Sequence, residues 1–353
     1  MAISNQKKEQ IAEVVIKILY SRFESFPQDA SGNRNAPFHE AFLNAFSDKF
    51  DEKVTDIPFF ISMSSWLHGL NTTMGQTFFE SVAHILSDGD KREFTSGAGR
   101  AGVLQITSQQ KKAASDIITK LSNSEATPNL DNSNSLLFVP DTPPFTNAID
   151  FSADVFLETN DEIIAIELKS VKPNSGEMRG EKQKILEGKA ALYRHYPGKD
   201  IKFYIGFPFD PTTDPNDPTS YDKVRFTASI INMDKYFDHR EVLLASELWD
   251  YLSGDTFTME QILSIINSIA TPTFMADFAF LCDNSNRNID KQRYRQLLEK
   301  WHLASELEVL DNQEAILEKI GTNKRLQKVY YKSMFYSNKS YNKERALTLM
   351  RLL

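Results

Sequence analysis

The spacing of apolar residues predicts a few strands between two helical stretches. In the first 120 residues apolar positions recur at helical spacing, and the helices they predict cover about 5–23, 36–49, 72–87 and 108–122. Strands are expected at about 148–158, 162–170, 201–207 and 224–232, with a helix at about 180–195. Beyond about residue 235 helical spacing returns, near 240–252, 259–269, 290–307 and 312–336. This order predicts an α/β core flanked by helices at both ends.

The predicted strand at 162–170 ends in two charged residues. Its centre, Ile163 to Ile166, is apolar throughout, as expected for a central strand covered on both faces. Glu167 and Lys169 follow on one face, because side chains alternate along a strand. The turn signal Thr-Asn-Asp at 159–161 predicts a hairpin with the preceding strand, in a register that sets Asp154 opposite Glu167. Two carboxylates and an amine are therefore expected on one patch of the sheet.

This patch of charged groups predicts a particular chemistry. Two carboxylates a few ångströms apart repel unless positive charge lies between them, and a hard divalent cation with oxygen ligands supplies that charge. The adjacent lysine can orient or deprotonate a water for attack on a phosphodiester. The alternative is a plain surface salt bridge between Glu167 and Lys169, and the triplet Glu-x-Lys also occurs by chance at 187–189. The apolar strand, the partner acid and the basic helix that follows favour a metal-dependent nuclease.

Composition and charge limit the cellular compartment and the binding partners that this chain is expected to have. The chain of 353 residues has a net charge of -8 and one cysteine, Cys282, which excludes a disulfide framework and suits a reducing cytoplasm. No apolar run approaches the roughly 20 residues that span a bilayer, so no membrane partner is expected. Two segments are basic: residues 169–202 hold nine Lys and Arg against four acids, and residues 321–353 hold eight against one. Either segment can contact nucleic acid, although the second is equally well explained as a solvated helical face.

A glycine-rich segment at 97–102, Gly-Ala-Gly-Arg-Ala-Gly, matches the dinucleotide-binding fingerprint by letter. That fingerprint needs an apolar strand before it and a helix directly after it. The preceding Lys-Arg-Glu-Phe-Thr-Ser is not an apolar strand, and the following Val-Leu-Gln-Ile has an extended pattern. We therefore expect a mobile loop that closes over a ligand, with Arg100 as its contact.

Asp154 followed by Glu167-Leu168-Lys169 resembles the PD-(D/E)xK nuclease signature, with Ala153 in place of the leading proline. The wider sequence over about residues 60–255 resembles the TdeIII-type type II restriction endonucleases. The matching stretches are WLHGLNTTMGQTFFESVAHIL at 66–86, the run from ADVFLE to FPFDP at 153–211, and KYFDHREVLLASELWDYLSG at 235–254. The resemblance implies a restriction-endonuclease-like core, in which a mixed central sheet is flanked by helices, with additional N- and C-terminal helical segments. It also implies a Mg²⁺-dependent enzyme that cuts double-stranded DNA at a short G/C-containing palindrome, GGNCC-like, and leaves 5′-phosphates.

The resemblance also assigns roles to residues. Asp154 and Glu167 would hold Mg²⁺ together with the carbonyl of Leu168, and Lys169 would position or activate the attacking water. Glu80, on an early helix, is a further candidate acid, because related nucleases often supply one from beside the sheet. Its alternative is simple exposure beside an apolar helix face. Asp150 lies four residues before Asp154, so both would face the same side of the strand. It is the alternative candidate for the first carboxylate.

Sequence specificity is expected from the helix that follows the catalytic strand. Arg179 and Lys182 can donate to guanine O6 and N7, and Glu181 can accept from a cytosine amine. Lys184 and Lys189 lie further along the same helix and are candidates for phosphate contacts, alongside Arg100. The alternative is helix-entry charge that contacts phosphates only. A palindrome presents two equivalent strands, so a homodimer is expected.

The organisation predicted is a single nuclease domain over 1–353, with a catalytic core at about 60–255 and a helical C-terminal extension at about 256–353. Two other functions fit the same residues. One is a repair or junction-resolving nuclease of the same superfamily, which would cut by DNA structure. The other is a DNA-binding protein that keeps the fold without cleaving.

Overall fold

The computed structural model describes residues 3–28, 41, 43, 56–97, 100–169 and 177–353, and most of the helix expected at about 36–49 lies outside these residues. The chain divides into two compact units. One comprises residues 1–3 and 79–262, and the other comprises residues 4–78 and 263–353. The expected C-terminal extension from about residue 256 begins near this division. That the whole chain folds as a single domain stays a prediction.

The elements are numbered here along the described residues. The strands are β1 (Asp90–Phe94), β2 (Gln105–Thr107), β3 (Phe145–Asn147), β4 (Phe151–Glu158), β5 (Glu162–Leu168), β6 (Asp200–Phe207) and β7 (Val242–Leu244). The α-helices are α1 (Asn5–Glu24), α2 (Ile57–Thr73), α3 (Glu80–Ser87), α4 (Ser108–Ser122), α5 (Leu130–Leu137), α6 (Glu177–His195), α7 (Lys223–Ser229), α8 (Met233–Tyr236), α9 (Ser246–Ser253), α10 (Thr258–Ile269), α11 (Phe274–Cys282), α12 (Asn286–Ile289), α13 (Lys291–Lys300), α14 (Ala304–Asp311), α15 (Gln313–Ile320), α16 (Lys324–Tyr331) and α17 (Lys343–Met350). A π-helical segment, Met74–Phe79, precedes α3, and a 3₁₀ turn, His239–Glu241, precedes β7.

A mixed five-stranded sheet forms the centre of the first unit, with the order β1-β4-β5-β6-β7. β1 and β4 are antiparallel, as are β4 and β5, whereas β5, β6 and β7 run parallel. β2 and β3 form a separate antiparallel pair. The mixed sheet with many helices confirms the coarse fold class expected from the sequence.

The apolar runs of β4 and β5 are buried because the sheet is covered on both faces. Ile163, Ala165 and Ile166 are fully buried, which is why β5 lacks the alternation of a half-exposed strand. α6 connects β5 to β6 and approaches the sheet closely at Gly188. A Cβ at Gly188 would lie 2.8 Å from the ring of Phe203, so glycine permits this approach.

One local prediction was wrong and one edge strand was not predicted, each for a physical reason. The expected strand at 224–232 is largely the helix α7. Asp222 caps it by accepting from the backbone N–H of Arg225, and Phe226 and Thr227 are its buried residues. No strand was predicted at Asp90–Phe94, where β1 lies, because this stretch is not an apolar run. An edge strand needs only one buried side chain here, and Phe94 stacks on Phe151 with ring centroids 4.7 Å apart.

The second unit is helical among its described residues. Val309, Ile316, Ile320, Tyr330 and Leu349 form an apolar cluster within it. Part of the basic C-terminal segment is structural, because the buried Arg345 donates to Glu306 at 2.5 Å. Lys324, Arg325 and Lys328 of α16 are exposed.

Within the described ranges, no single helix has the length and apolar composition needed to cross a membrane, although α10 and α11 pass that test jointly as a bent pair.

Candidate active site

The β4–β5 hairpin brings the three predicted chemical groups together. Val155 pairs with Ile166, so the next pair outward is Asp154 and Glu167, the register predicted from the turn. The backbone N–H of Leu168 donates to Asp154 Oδ2 at 2.9 Å. Lys169 follows directly after β5, and its Nζ lies 3.2 Å from Glu167 Oε1. Asp154, Glu167 and Lys169 therefore share one patch at the end of the hairpin.

Helix α3 holds the backbone of the first carboxylate. His84 donates from Nε2 to the carbonyl oxygen of Asp154 at 2.6 Å. Asp154 itself is buried, whereas its rival Asp150 is exposed ahead of β4. Burial and these fixed hydrogen bonds favour Asp154 as the acid of the site. His84 was missed by sequence reasoning, because a histidine one helix away from the strand carries no spacing signal.

Glu167 is an unusual carboxyl group. Burial and the neighbouring Asp154 raise its pKa to about 7, and Lys169 only partly offsets them. Ser152 donates its hydroxyl to Glu167 Oε2 at 3.3 Å. Glu167 is thus a partly buried acid whose charged form is disfavoured, and a bound cation would relieve this condition.

Lys169 is surrounded by acids. Its Nζ lies 3.2 Å from Glu181 Oε1 and 3.6 Å from Glu177 Oε1, in addition to Glu167. Burial alone would lower the pKa of Lys169, but Glu167 and Glu181 outweigh it, so the pKa is raised. Lys169 therefore remains an ammonium, which can orient a water or face a phosphate but is a poor proton acceptor.

Glu80 and a lysine that sequence reasoning missed complete the cluster. Lys91 on β1 places its Nζ 2.8 Å from Asp154 Oδ1 and 3.3 Å from Glu80 Oε2. Glu80 is therefore linked to Asp154 through Lys91. The signal that could have found Lys91 is its position in an edge strand next to β4, which its polar neighbours concealed.

The residues predicted to contact DNA differ in how exposed they are. Arg179 is exposed, and the Lys184 side chain is 41% exposed while pairing with Glu181 at 3.0 Å. Glu181 is buried beside Lys169, which removes it from a free surface. Arg100 lies in the loop after β1, where its guanidinium pairs with Glu93 at 2.8 Å.

Lys182 and Lys189 are not at the surface. Both are buried, and their Nζ atoms lie 2.5 Å and 3.1 Å from the two carboxylate oxygens of the buried Glu241. This arrangement gives them a structural role and leaves their side chains without access to DNA in this conformation. The helical pattern of α6 could not reveal it, because the partner acid lies about 50 residues away along the chain.

Replacing Glu241 with alanine should lower the free energy of unfolding by about 3–5 kcal/mol, because two buried ammonium groups lose their partner. Urea unfolding measures this change. The matched control is Glu162→Ala, which breaks the partly exposed pair with Lys202 and should cost less than about 1 kcal/mol. Equal small losses in both variants would contradict the structural role.

The oxygen donors of the patch fit a hard divalent cation. Among the residues that the structure describes, no ready-made group of three or more His, Cys, Asp or Glu side chains is arranged to hold a metal. Two carboxylates supplemented by a backbone carbonyl and water are nevertheless a usual donor set for Mg²⁺, which keeps several waters. The pKa of Glu167 is raised mainly by its burial and then by the neighbouring Asp154, and a cation bound between the two acids would reverse that shift.

The raised pKa of Glu167 predicts a pH-dependent stability. A carboxyl group whose folded pKa lies above its ordinary value stabilises the fold while protonated, so this contribution is fully present below about pH 4.5 and is lost as the pH rises to about 7. Relative to Glu167→Gln, the metal-free wild type should therefore lose on the order of 1–3 kcal/mol of unfolding free energy between pH 4.5 and 8. Urea unfolding in chelator checks this, and a pH-independent difference would contradict it.

Comparison with known proteins identifies the class of enzyme. The chain matches the family model described as type II restriction endonuclease, HinfI, over residues 3–270. It is 40% identical over 370 aligned positions to the type II restriction enzyme MjaII of Methanocaldococcus jannaschii, covering 100% of this chain and 98% of that protein. These matches define a site-specific deoxyribonuclease of a restriction-modification system.

The chain belongs to the HinfI family of type II restriction endonucleases. The expected restriction enzyme is thereby confirmed, and double-stranded DNA is the substrate class. The match names HinfI, so the TdeIII type is not confirmed. Family membership favours a restriction enzyme over the junction nuclease and over the non-cleaving DNA-binding protein.

Proposed function

We propose that the end of the β4–β5 hairpin is the catalytic centre of a Mg²⁺-dependent restriction endonuclease with a PD-(D/E)xK core. One observation carries the proposal: Asp154, Glu167 and Lys169 meet at one partly buried patch, with Lys169 Nζ 3.2 Å from Glu167. Separated by 13 residues in sequence, the two carboxylates become neighbours only through the hairpin register. Two acids and an ammonium at such a position suit phosphodiester hydrolysis.

Asp154 and Glu167 would hold Mg²⁺, with the carbonyl of Leu168 as a further ligand. Bound there, Mg²⁺ would supply Lewis-acid chemistry by placing positive charge against the phosphate oxygens. Lys169, which stays protonated, orients the attacking water and stabilises negative charge on the phosphate. Water adds to phosphorus as the bond to the 3′ oxygen breaks. The proton that the water loses passes to solvent and the 3′ oxygen takes one up, which leaves a 5′-phosphate and a 3′-hydroxyl. Glu181 acts as a positioning residue, because it fixes the Lys169 ammonium.

For sequence recognition we propose the start of α6, where Arg179 is exposed, with Lys184 and Arg100 as phosphate contacts. The target proposed is a short G/C-containing palindrome, GGNCC-like. A homodimer would present the two centres to the two strands, and the enzyme would act in the cytoplasm.

Arg179→Ala should cost roughly 1–3 kcal/mol of discrimination if the guanidinium contacts a guanine. The measurement is the ratio of binding constants for the target site and for targets with one base pair changed. Lys184→Ala is the companion variant, and it should weaken binding to all sequences alike because a phosphate contact carries no sequence information. An unchanged preference after Arg179→Ala would remove this residue from the recognition surface.

The function is tested by incubating the protein with phage DNA and Mg²⁺ and sequencing the fragment ends. We expect discrete fragments that share one short palindrome and carry 5′-phosphates, with no cleavage in chelator. Random fragmentation, or cleavage only of branched DNA, would overturn the proposal.

A further inference from the structure

Lys91 occupies the oxygen of Asp154 that a metal ion would need. The other carboxylate oxygen, Oδ2, already accepts the backbone N–H of Leu168 at 2.9 Å. Oδ1 is therefore the oxygen better placed to face a cation, and Lys91 Nζ lies 2.8 Å from it. A cation that binds Oδ1 would meet an ammonium already in place.

The backbone is shaped to put Lys91 there. Asp90 pairs with Phe156 and Arg92 with Ala153, so the register shifts and the single residue Lys91 faces both Asp154 and Val155. Such β-bulges are common beside active sites, where they re-aim a side chain. Here the bulge lies in β4 at Asp154 itself.

Lys91 also has a second partner within reach. Its Nζ lies 3.3 Å from both carboxylate oxygens of Glu80, at the start of α3. The Lys91 side chain is 38% exposed, whereas that of Asp154 is 10% exposed, so the amine can withdraw toward Glu80 while the acid stays fixed. Glu80 is thus an anchor for Lys91 rather than a ligand of the metal.

We propose that Lys91 is a resident counterion of Asp154 that competes with the divalent cation and withdraws to Glu80 when the cation binds. This inference rests on the proposed function, because it needs a cation at Asp154. Lys91 is a positioning residue. It holds Asp154 and Glu80 together in the metal-free enzyme, and it sets the concentration of metal that the enzyme requires.

The first test is metal binding without DNA, by titration with Mn²⁺ while the EPR signal of the free ion is followed. Lys91→Met keeps the approximate length of the side chain and removes its charge, and it should tighten Mn²⁺ binding on the order of two- to fivefold, the scale of a partly exposed ion pair. Lys91→Arg should bind Mn²⁺ like the wild type. The matched control is Lys202→Met, a lysine of similar exposure paired with Glu162, which should leave Mn²⁺ affinity unchanged.

The second test asks whether Lys91 moves from Asp154 to Glu80 when the cation binds, or whether its charge merely repels the cation. If Glu80 receives Lys91, then Glu80→Gln should weaken Mn²⁺ binding in the wild type, because Lys91 would hold Asp154 more persistently. The same substitution should have no effect in a Lys91→Met background. Equal effects of Glu80→Gln in both backgrounds would overturn the proposal, and so would unchanged or weaker Mn²⁺ binding by Lys91→Met.

Failure of the inference differs visibly from failure of the proposed function. If the wild type binds no Mn²⁺, or if Asp154→Asn binds as much Mn²⁺ as the wild type, the metal centre itself is misplaced. If Asp154→Asn removes the bound Mn²⁺ but Lys91→Met changes nothing, only the role of Lys91 is refuted. Thermal unfolding of each variant confirms that the fold is retained.

Discussion

Lys169→Ala should reduce the rate of DNA cleavage by roughly 10²–10⁴-fold while leaving sequence-specific binding largely intact. The ammonium lies beside Glu167 and Glu181, and its raised pKa keeps it charged when the phosphate arrives. Alanine removes the group that orients the water, yet removes none of the exposed side chains proposed to contact DNA. Single-turnover cleavage and gel-shift binding in Ca²⁺ separate the two effects.

Lys199→Ala is the matched control for Lys169→Ala. Lys199 is also a partly buried lysine that pairs with a carboxylate, but its partner Glu158 lies at the opposite end of β4. This variant should cleave at close to the wild-type rate. Wild-type cleavage by Lys169→Ala would refute the mechanism, whereas equal losses in both variants would point to a general effect on the fold.

Asp154→Asn should reduce cleavage by at least roughly 10²-fold and remove the tightest bound Mn²⁺. Asparagine has the size of aspartate and can still accept the N–H of Leu168 through its side-chain oxygen. The loss would therefore report the missing negative charge rather than a collapsed hairpin. Cleavage kinetics and Mn²⁺ titration are the measurements, and the pKa of Glu167 should fall because Asp154 no longer raises it.

Asp150→Asn is the control, since Asp150 is the exposed acid of the same parity four residues earlier. We expect near wild-type cleavage and Mn²⁺ binding from it. If Asp150→Asn abolished both while Asp154→Asn did not, the first carboxylate of the site would be Asp150.

The central hairpin could be predicted from sequence because its determinants are local. The apolar run of β5, the turn at 159–161 and the parity of Glu167 and Lys169 all lie within 20 residues. In the structure Thr159 supports the turn, since its hydroxyl accepts the N–H of Glu162 at 3.1 Å. The register, and with it the meeting of Asp154 and Glu167, follows from these features.

The features that escaped prediction depend on distant contacts. Lys182 and Lys189 look like surface lysines in a helix, and only the fold reveals Glu241 between them. Lys91 lies in a strand that the apolar pattern did not reveal, because a strand at the edge of a sheet can be polar on most of its surface. A sequence pattern shows which residues carry charge, but it does not show which distant acid will pair with a given lysine in the folded chain.

The most direct test of the account is a crystal structure of the protein with Mn²⁺ and a short duplex containing its target, using anomalous scattering to locate the metal. We predict a Mn²⁺ peak bound by Asp154 Oδ1 and Glu167, with Lys169 facing the scissile phosphate. A peak coordinated by other side chains, or a phosphate placed away from this hairpin, would contradict it.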